Sequence, residues 1–218
     1  RGGAGGGEGG GAGGGGVGGV VGGGGGGVSD DEARLGLIEE AEPHIRRWLE
    51  LAPGSAEAIK FLGYYEQAER HWPEAIEHYT AYLRRHPEDP DPRRRLAAIY
   101  TEQNDEDAAL RELQEVYRLV DGEAPLAWRI GSIYLGRAEN AEAAQWFRRG
   151  LDHDPFDADL HEALADALLD DGQPAAAERE YQAVCKLLPD DTAGYEGLVE
   201  VYEALGDEAK AAEYERKV

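Results

Sequence analysis

Alanine returns every 34 residues along most of the chain, at Ala41, Ala75, Ala109, Ala143, Ala177 and Ala211. Four of these alanines are followed twelve residues later by proline, at Pro53, Pro87, Pro155 and Pro189. A fixed period of this length means that one small unit is stacked repeatedly. Each unit is too small to bury its own apolar face, and its neighbours bury it instead.

The unit holds two helices. Ile59, Leu62 and Gly63 share one helical face, and Ala75, Ile76, Tyr79 and Leu83 share a second. Polar turns such as Asn104-Asp105-Glu106-Asp107, Gly172-Gln173-Pro174 and Gly206-Asp207 separate the two. The proline closes the second helix, because it has no amide proton and disfavours helical geometry in the residue before it. Asp121 takes its place once, where Gly122 and Pro125 still break the chain. Small residues at Gly63, Ala97, Gly131 and Ala165 face Ala75, Ala109, Ala143 and Ala177 and let the paired backbones approach, while aromatic residues fill the gap to the next pair.

The grammar runs through Leu62-Gly63-Ala75-Tyr79, Leu96-Ala97-Tyr100-Ala109-Leu113, Ile130-Gly131-Tyr134-Ala143-Phe147, Leu164-Ala165-Gly172-Ala177-Tyr181 and a shortened Leu198-Tyr202-Gly206-Ala211. Over residues 56–218 it resembles the tetratricopeptide repeat family, as five repeats. Residues 29–55 read as an incomplete first repeat with only its second helix. The resemblance implies an all-α solenoid of antiparallel helix pairs wound into a right-handed superhelix, and a non-catalytic scaffold for protein–protein interaction. It also implies that the first helix of each pair lines a concave groove. The matching positions include Lys60, Tyr64, Arg94, Trp128, Ser132, Leu135, Phe156, Glu162, Asp166, Asp170, Glu196, Glu200 and Glu203. Family members that hold the terminal carboxylate of a chaperone peptide use lysine, asparagine and arginine. Lys60 and Arg94 match these only in charge, and Tyr64 stands where the asparagine would be needed.

Charge narrows the function classes. The chain carries a formal charge of −23, whereas a nucleic-acid partner requires a basic footprint. Read along the proposed groove, Lys60 and Arg94 make one end weakly basic, Trp128, Leu135 and Phe156 an apolar middle, and the carboxylates an acidic end. This pattern suits an extended peptide or helix with an apolar anchor and basic residues. Acidic rows are also the ordinary form of a solvated helix face.

No catalytic, cofactor or metal constellation stands out. The six histidines include no pair four apart on one helix. The polar cluster Asp152-His153-Asp154-Asp157-Asp159 lacks the glycine and terminal glutamate of a calcium loop and reads as helix capping, with Asp157 the cap. No phosphate-cradling loop or nucleophile elbow is found. Cys185, the single cysteine, falls on the apolar side of a second helix and reads as a small buried hydrophobe. No apolar run reaches membrane-spanning length. The absence of any methionine points to a processed product or an excised segment, and the compartment, cytoplasmic or exported after processing, stays open.

Residues 1–28 stand outside this grammar, with 20 glycines and Val17, Val20, Val21 and Val28 among the few interruptions. They read as a flexible Gly-rich arm, as glycines packed in an ordered assembly, or as a segment whose side chains were not read. Just after them, Leu37, Ile38, Ile45 and Leu49 form an apolar stripe on a helix that lacks its pair partner, a possible self-assembly face. Three functions follow: a recruiting module whose partner is another protein, a subunit that assembles with copies of itself, or the repeat region of a larger enzyme or of a secretion or assembly factor.

Overall fold

A computed structural model describes residues 30–218, with side chains from Ala41 onward. The expectations for residues 1–28 lie outside the described residues, as do the side chains of Leu37 and Ile38. Among the described residues there are eleven helices and no strand: α1 (Asp30–Leu51), α2 (Ala56–Ala68), α3 (Trp72–Leu83), α4 (Pro90–Glu102), α5 (Glu106–Leu119), α6 (Ala124–Gly136), α7 (Asn140–His153), α8 (Ala158–Asp170), α9 (Pro174–Leu187), α10 (Ala193–Ala204) and α11 (Glu208–Glu215). The all-α expectation holds. Helices α2 to α11 form five successive hairpins, and α1 packs on α2 from the N-terminal side.

The hairpin turns share one mechanism. The second residue after each first helix adopts left-handed geometry, at Arg70 (φ 62°), Asn104 (57°), Ala138 (58°), Gly172 (73°) and Gly206 (73°). This lets its own amide and the next one return to the helix just ended. At Gly172 the pair is Gly172 N–H to Leu169 O (2.9 Å) and Gln173 N–H to Leu168 O (2.8 Å). At Ala138 it is Ala138 N–H to Leu135 O and Glu139 N–H to Tyr134 O, both 2.9 Å. Both carbonyls would otherwise be unpaired at the helix end.

Within a hairpin the small residue of the first helix makes room for an aromatic ring on the second. A Cβ on Gly63 would lie 2.7 Å from the Tyr79 ring, and one on Gly131 would lie 2.5 Å from Phe147. Both rings are fully buried, as are Ala75 and Ala143. Asp121, in place of the periodic proline, turns the chain through two left-handed residues, Asp121 (φ 57°) and Gly122 (φ 86°). Gly122 lies against the His153 ring, where a Cβ would meet Nε2 at 2.2 Å.

The junctions between hairpins are unequal. The α7/α8 and α9/α10 junctions are far more closely packed than α3/α4 and α5/α6. At the close junctions glycine stands between helices: Gly150 meets Leu160, and Gly194 meets the backbone and thiol of Cys185. The register-equivalent residues at the looser junctions are Tyr82 and Val116 in place of Gly150, and Pro92 and Leu126 in place of Gly194. The buried core forms one continuous cluster from Ala143 to Ala211, which takes in both close junctions, and two smaller ones around Tyr79 and Leu113, each spanning one of the looser junctions. First helices of neighbouring hairpins touch directly, α6 with α8 and α8 with α10, which makes their layer the inner one.

Candidate binding groove

The inner face is built from equivalent positions of α2, α4, α6, α8 and α10. Lys60, Arg94, Trp128, Glu162 and Glu196 occupy one position, and Tyr64, Ala98, Ser132, Asp166 and Glu200 another one turn on. Phe156 lies off these helices, in the α7–α8 connection, and is 78% exposed.

At the N-terminal end the cations are internally paired. Lys60 Nζ lies 3.3 Å from Glu57 Oε2 and 3.4 Å from Asp89 Oδ2, with the Tyr82 hydroxyl 3.4 Å away. Burial opposes its charge, but the Tyr82 hydrogen bond, Tyr64 and Glu57 outweigh it and hold the amine above its usual pKa. Arg94 bridges both oxygens of Glu123 at 3.0 and 3.1 Å. Tyr64 donates its hydroxyl to Asp91 and lies under the Arg95 guanidinium, 4.2 Å away. Burial first, then the Asp91 carboxylate, pushes the Tyr64 phenol up to about 12.

These pairs follow a rule. Asp89 and Glu123 immediately precede α4 and α6 as their N-terminal caps, so Lys60 and Arg94 each neutralise an acid at the start of the next first helix. At Glu162 the rule inverts: Asp191, close to the start of α10, joins Asp166, Asp159 and Glu196 in repelling it.

The acidic end is a cavity of about 360 Å³ bounded by Leu135 of α6, by α8 and by α10. Glu162, Asp166, Asp170, Glu196 and Glu200 line it, and no lysine, arginine or histidine does. Gly197 gives Tyr181 of α9 its path, since a Cβ there would lie 2.1 Å from the ring. The Tyr181 hydroxyl reaches through to donate to Asp166. Desolvation, followed by neighbouring carboxylates, raises Glu162. Desolvation also raises Asp166, against the Tyr181 hydrogen bond.

Between the ends, Trp128 is 44% exposed and Leu135 half-buried. Sequence reasoning missed a second cavity, of about 590 Å³, which Ile45, Phe61, Tyr64, Tyr65, Trp72 and Arg95 help to line. Phe61 stands beside Lys60 and Tyr64, and its pairing with Trp48 (centroids 6.2 Å apart) and Tyr64 (5.6 Å) crosses from α1 into α2. The density of aromatics at Trp48, Phe61, Tyr64, Tyr65 and Trp72 was the available signal. On α1, Ile45 and Leu49 are half-buried, whereas Leu51 is 71% exposed.

Tetratricopeptide repeat models match residues 67–128 and 162–218. The chain belongs to the tetratricopeptide repeat family. Among curated relatives, it is 28% identical over 92 residues to Hsp70-Hsp90 organizing protein 2 of Arabidopsis thaliana, covering 42% of this chain and 16% of that protein. It is 24% identical over 135 residues to Hsp70-Hsp90 organizing protein 1 of Glycine max, covering 62% of this chain and 24% of that one. The chain thus spans under a quarter of the length of either relative.

The fold is shared with the crystal structure of MamA (TM-score 0.63, 19% identity, 74% of this chain and 88% of that one). It is also shared with YrrB, described as a TPR protein with an unusual peptide-binding site (TM-score 0.65, 14% identity, 79% and 89%). Among the described residues, no group of histidine, cysteine, aspartate and glutamate side chains is arranged to hold a metal ion, and no helix is long and apolar enough to cross a membrane.

Proposed function

We propose that this chain is a non-catalytic recruiting scaffold that holds a basic segment of another protein in the groove formed by α6, α8 and α10. The supporting observation is the inverted pairing. Lys60 and Arg94 supply the cation that faces an acid in the first two repeats, and Glu162 supplies a like charge instead. A partner lysine or arginine standing there would restore the missing pair and relieve repulsion among carboxylates already raised by desolvation. Trp128, on the same face, would add apolar contact of the kind that dominates peptide interfaces. The carboxylate-clamp alternative is disfavoured, because Lys60 and Arg94 are engaged by their own chain and Tyr64 is donating to Asp91.

Fluorescence anisotropy with a labelled Arg/Leu-rich peptide tests the reading. Glu162→Gln with Glu196→Gln should weaken binding about tenfold, mainly through slower association, and flatten its dependence on salt. Trp128→Ala should cost roughly 2 kcal/mol of affinity. Binding that survives all three changes would move the partner to the outer face.

A further inference from the structure

The groove has two cavities on one face. Phe61, Tyr64 and Gln67 of the N-terminal cavity hold the same helical positions as Gly197, Glu200 and Leu135 of the acidic one, in other repeats. The charged groups of the N-terminal cavity are engaged by their own chain. Arg70 bridges Glu102 at 3.3 Å, and Arg95 lies 3.7 Å from Asp91 and over the Tyr64 ring. What it offers is apolar and aromatic wall, with Phe61 43% exposed, and a volume of about 590 Å³. That volume lies in the range of small-ligand sites and accommodates one or two large side chains.

We infer that this cavity is the anchor pocket for the same partner, so that the ligand is bipartite: a large aromatic or aliphatic side chain seated against Phe61, and a basic stretch at the acidic end. This rests on the proposed function and adds a requirement for spacing. The first cavity lies between α2 and α4 and the second between α8 and α10, three first-helix steps away. At the roughly 8–10 Å spacing of packed helices, the separation is at least about 25 Å. An extended chain covers that in about eight residues. Two weak contacts joined by a linker of matching span reinforce each other through effective concentration, and a linker too short to span them forfeits the gain.

The test uses the full chain and three labelled peptides: four arginines alone, the same arginines joined to a Trp-Leu anchor by eight Gly/Ser residues, and the same pair joined by two. The eight-residue peptide should bind at least tenfold tighter than arginines alone, and the two-residue peptide should not. Phe61→Ser, and Ile45→Thr on α1, should each abolish the gain and leave arginine-only affinity unchanged, with helical circular dichroism confirming the fold. Equal binding by all three peptides, or a gain that survives both variants, would overturn the anchor pocket while leaving the acidic site standing. Failure of every peptide to bind would overturn both. A fall in sedimentation mass on Phe61→Ser would show the cavity filled by a second copy and would likewise overturn the inference.

Discussion

Ala138→Gly should stabilise this protein, although glycine normally weakens a chain. Ala138 sits in left-handed geometry (φ 58°) at a turn where two other repeats use glycine, Gly172 and Gly206. Its side chain is exposed, so removal of the methyl group sacrifices no packing. A non-glycine residue in this region costs about 1–2 kcal/mol. Glycine returns about 0.4–1 kcal/mol of that by enlarging the entropy of the unfolded chain. The balance is a gain of roughly 0.5–1 kcal/mol, or about 1–4 °C in melting temperature for a chain of this size. Thermal denaturation followed by circular dichroism reads it directly. Gly172→Ala and Gly206→Ala should shift it by a similar amount in the opposite direction, since nothing lies within 4 Å of a Cβ at either site and only backbone strain is added. A destabilised Ala138→Gly protein, or an unaffected Gly172→Ala protein, would refute the assignment of cost to backbone geometry.

Ala143→Leu adds methylenes where the residue is fully buried, and should cost about 1–3 kcal/mol in urea denaturation; an unchanged midpoint would put the position at the surface. Gly131→Ala should destabilise despite alanine's better helix propensity, because its Cβ would meet the buried Phe147 ring at 2.5 Å, whereas Gly136→Ala, with open space around it, should gain about 0.5–1 kcal/mol. The His71 imidazole, 2.8 Å from the Glu66 carboxylate, is held above its usual pKa by that hydrogen bond. Its contribution should be fully present below the unfolded value of 6.5 and be lost as pH rises through the folded value. The stability gap between the parent and Glu66→Gln should therefore narrow from pH 6 to pH 8.5, and a gap that widens would reverse the sign.

The fold was legible because five copies of one pattern correct each other's noise. Gly63 and Gly131 recur at the position that Ala97 and Ala165 share, and the turn residues 70, 104, 138, 172 and 206 follow the same beat. Gly63 and Gly131 lie so close to the Tyr79 and Phe147 rings that a Cβ would collide with them, a closeness that a one-dimensional pattern does not show. The acidic end of the groove was also visible, since a row of carboxylates at equivalent helix positions needs only the register. The state of Lys60 and Arg94 was not read, because charge counting treats every cation as free. Their partners, Asp89 and Glu123, lie at the same sequence offset, so aligning the repeats for complementary charge as well as for size would have exposed them. The aromatic cavity needed three dimensions: α1 contributes Ala41 and Ile45 to a wall shared with Phe61 of α2, and α4 contributes Arg95 and Glu102 from the next repeat.

Gly150 and Gly194 give the array a mechanical gradient. From α7 onward the hairpins are locked into one continuous core, while the α3/α4 and α5/α6 joints are held by fewer neighbours and bend at lower cost. A segment gripped at both ends would therefore stretch the molecule unevenly, with the acidic half as the fixed jaw and the aromatic half as the sprung one. Tolerance to the length of such a segment would then reside in Tyr82, Pro92, Val116 and Leu126, none of which needs to touch it. Replacing the glycines would soften the fixed jaw, and the preferred ligand length would broaden without any change at the contact surface.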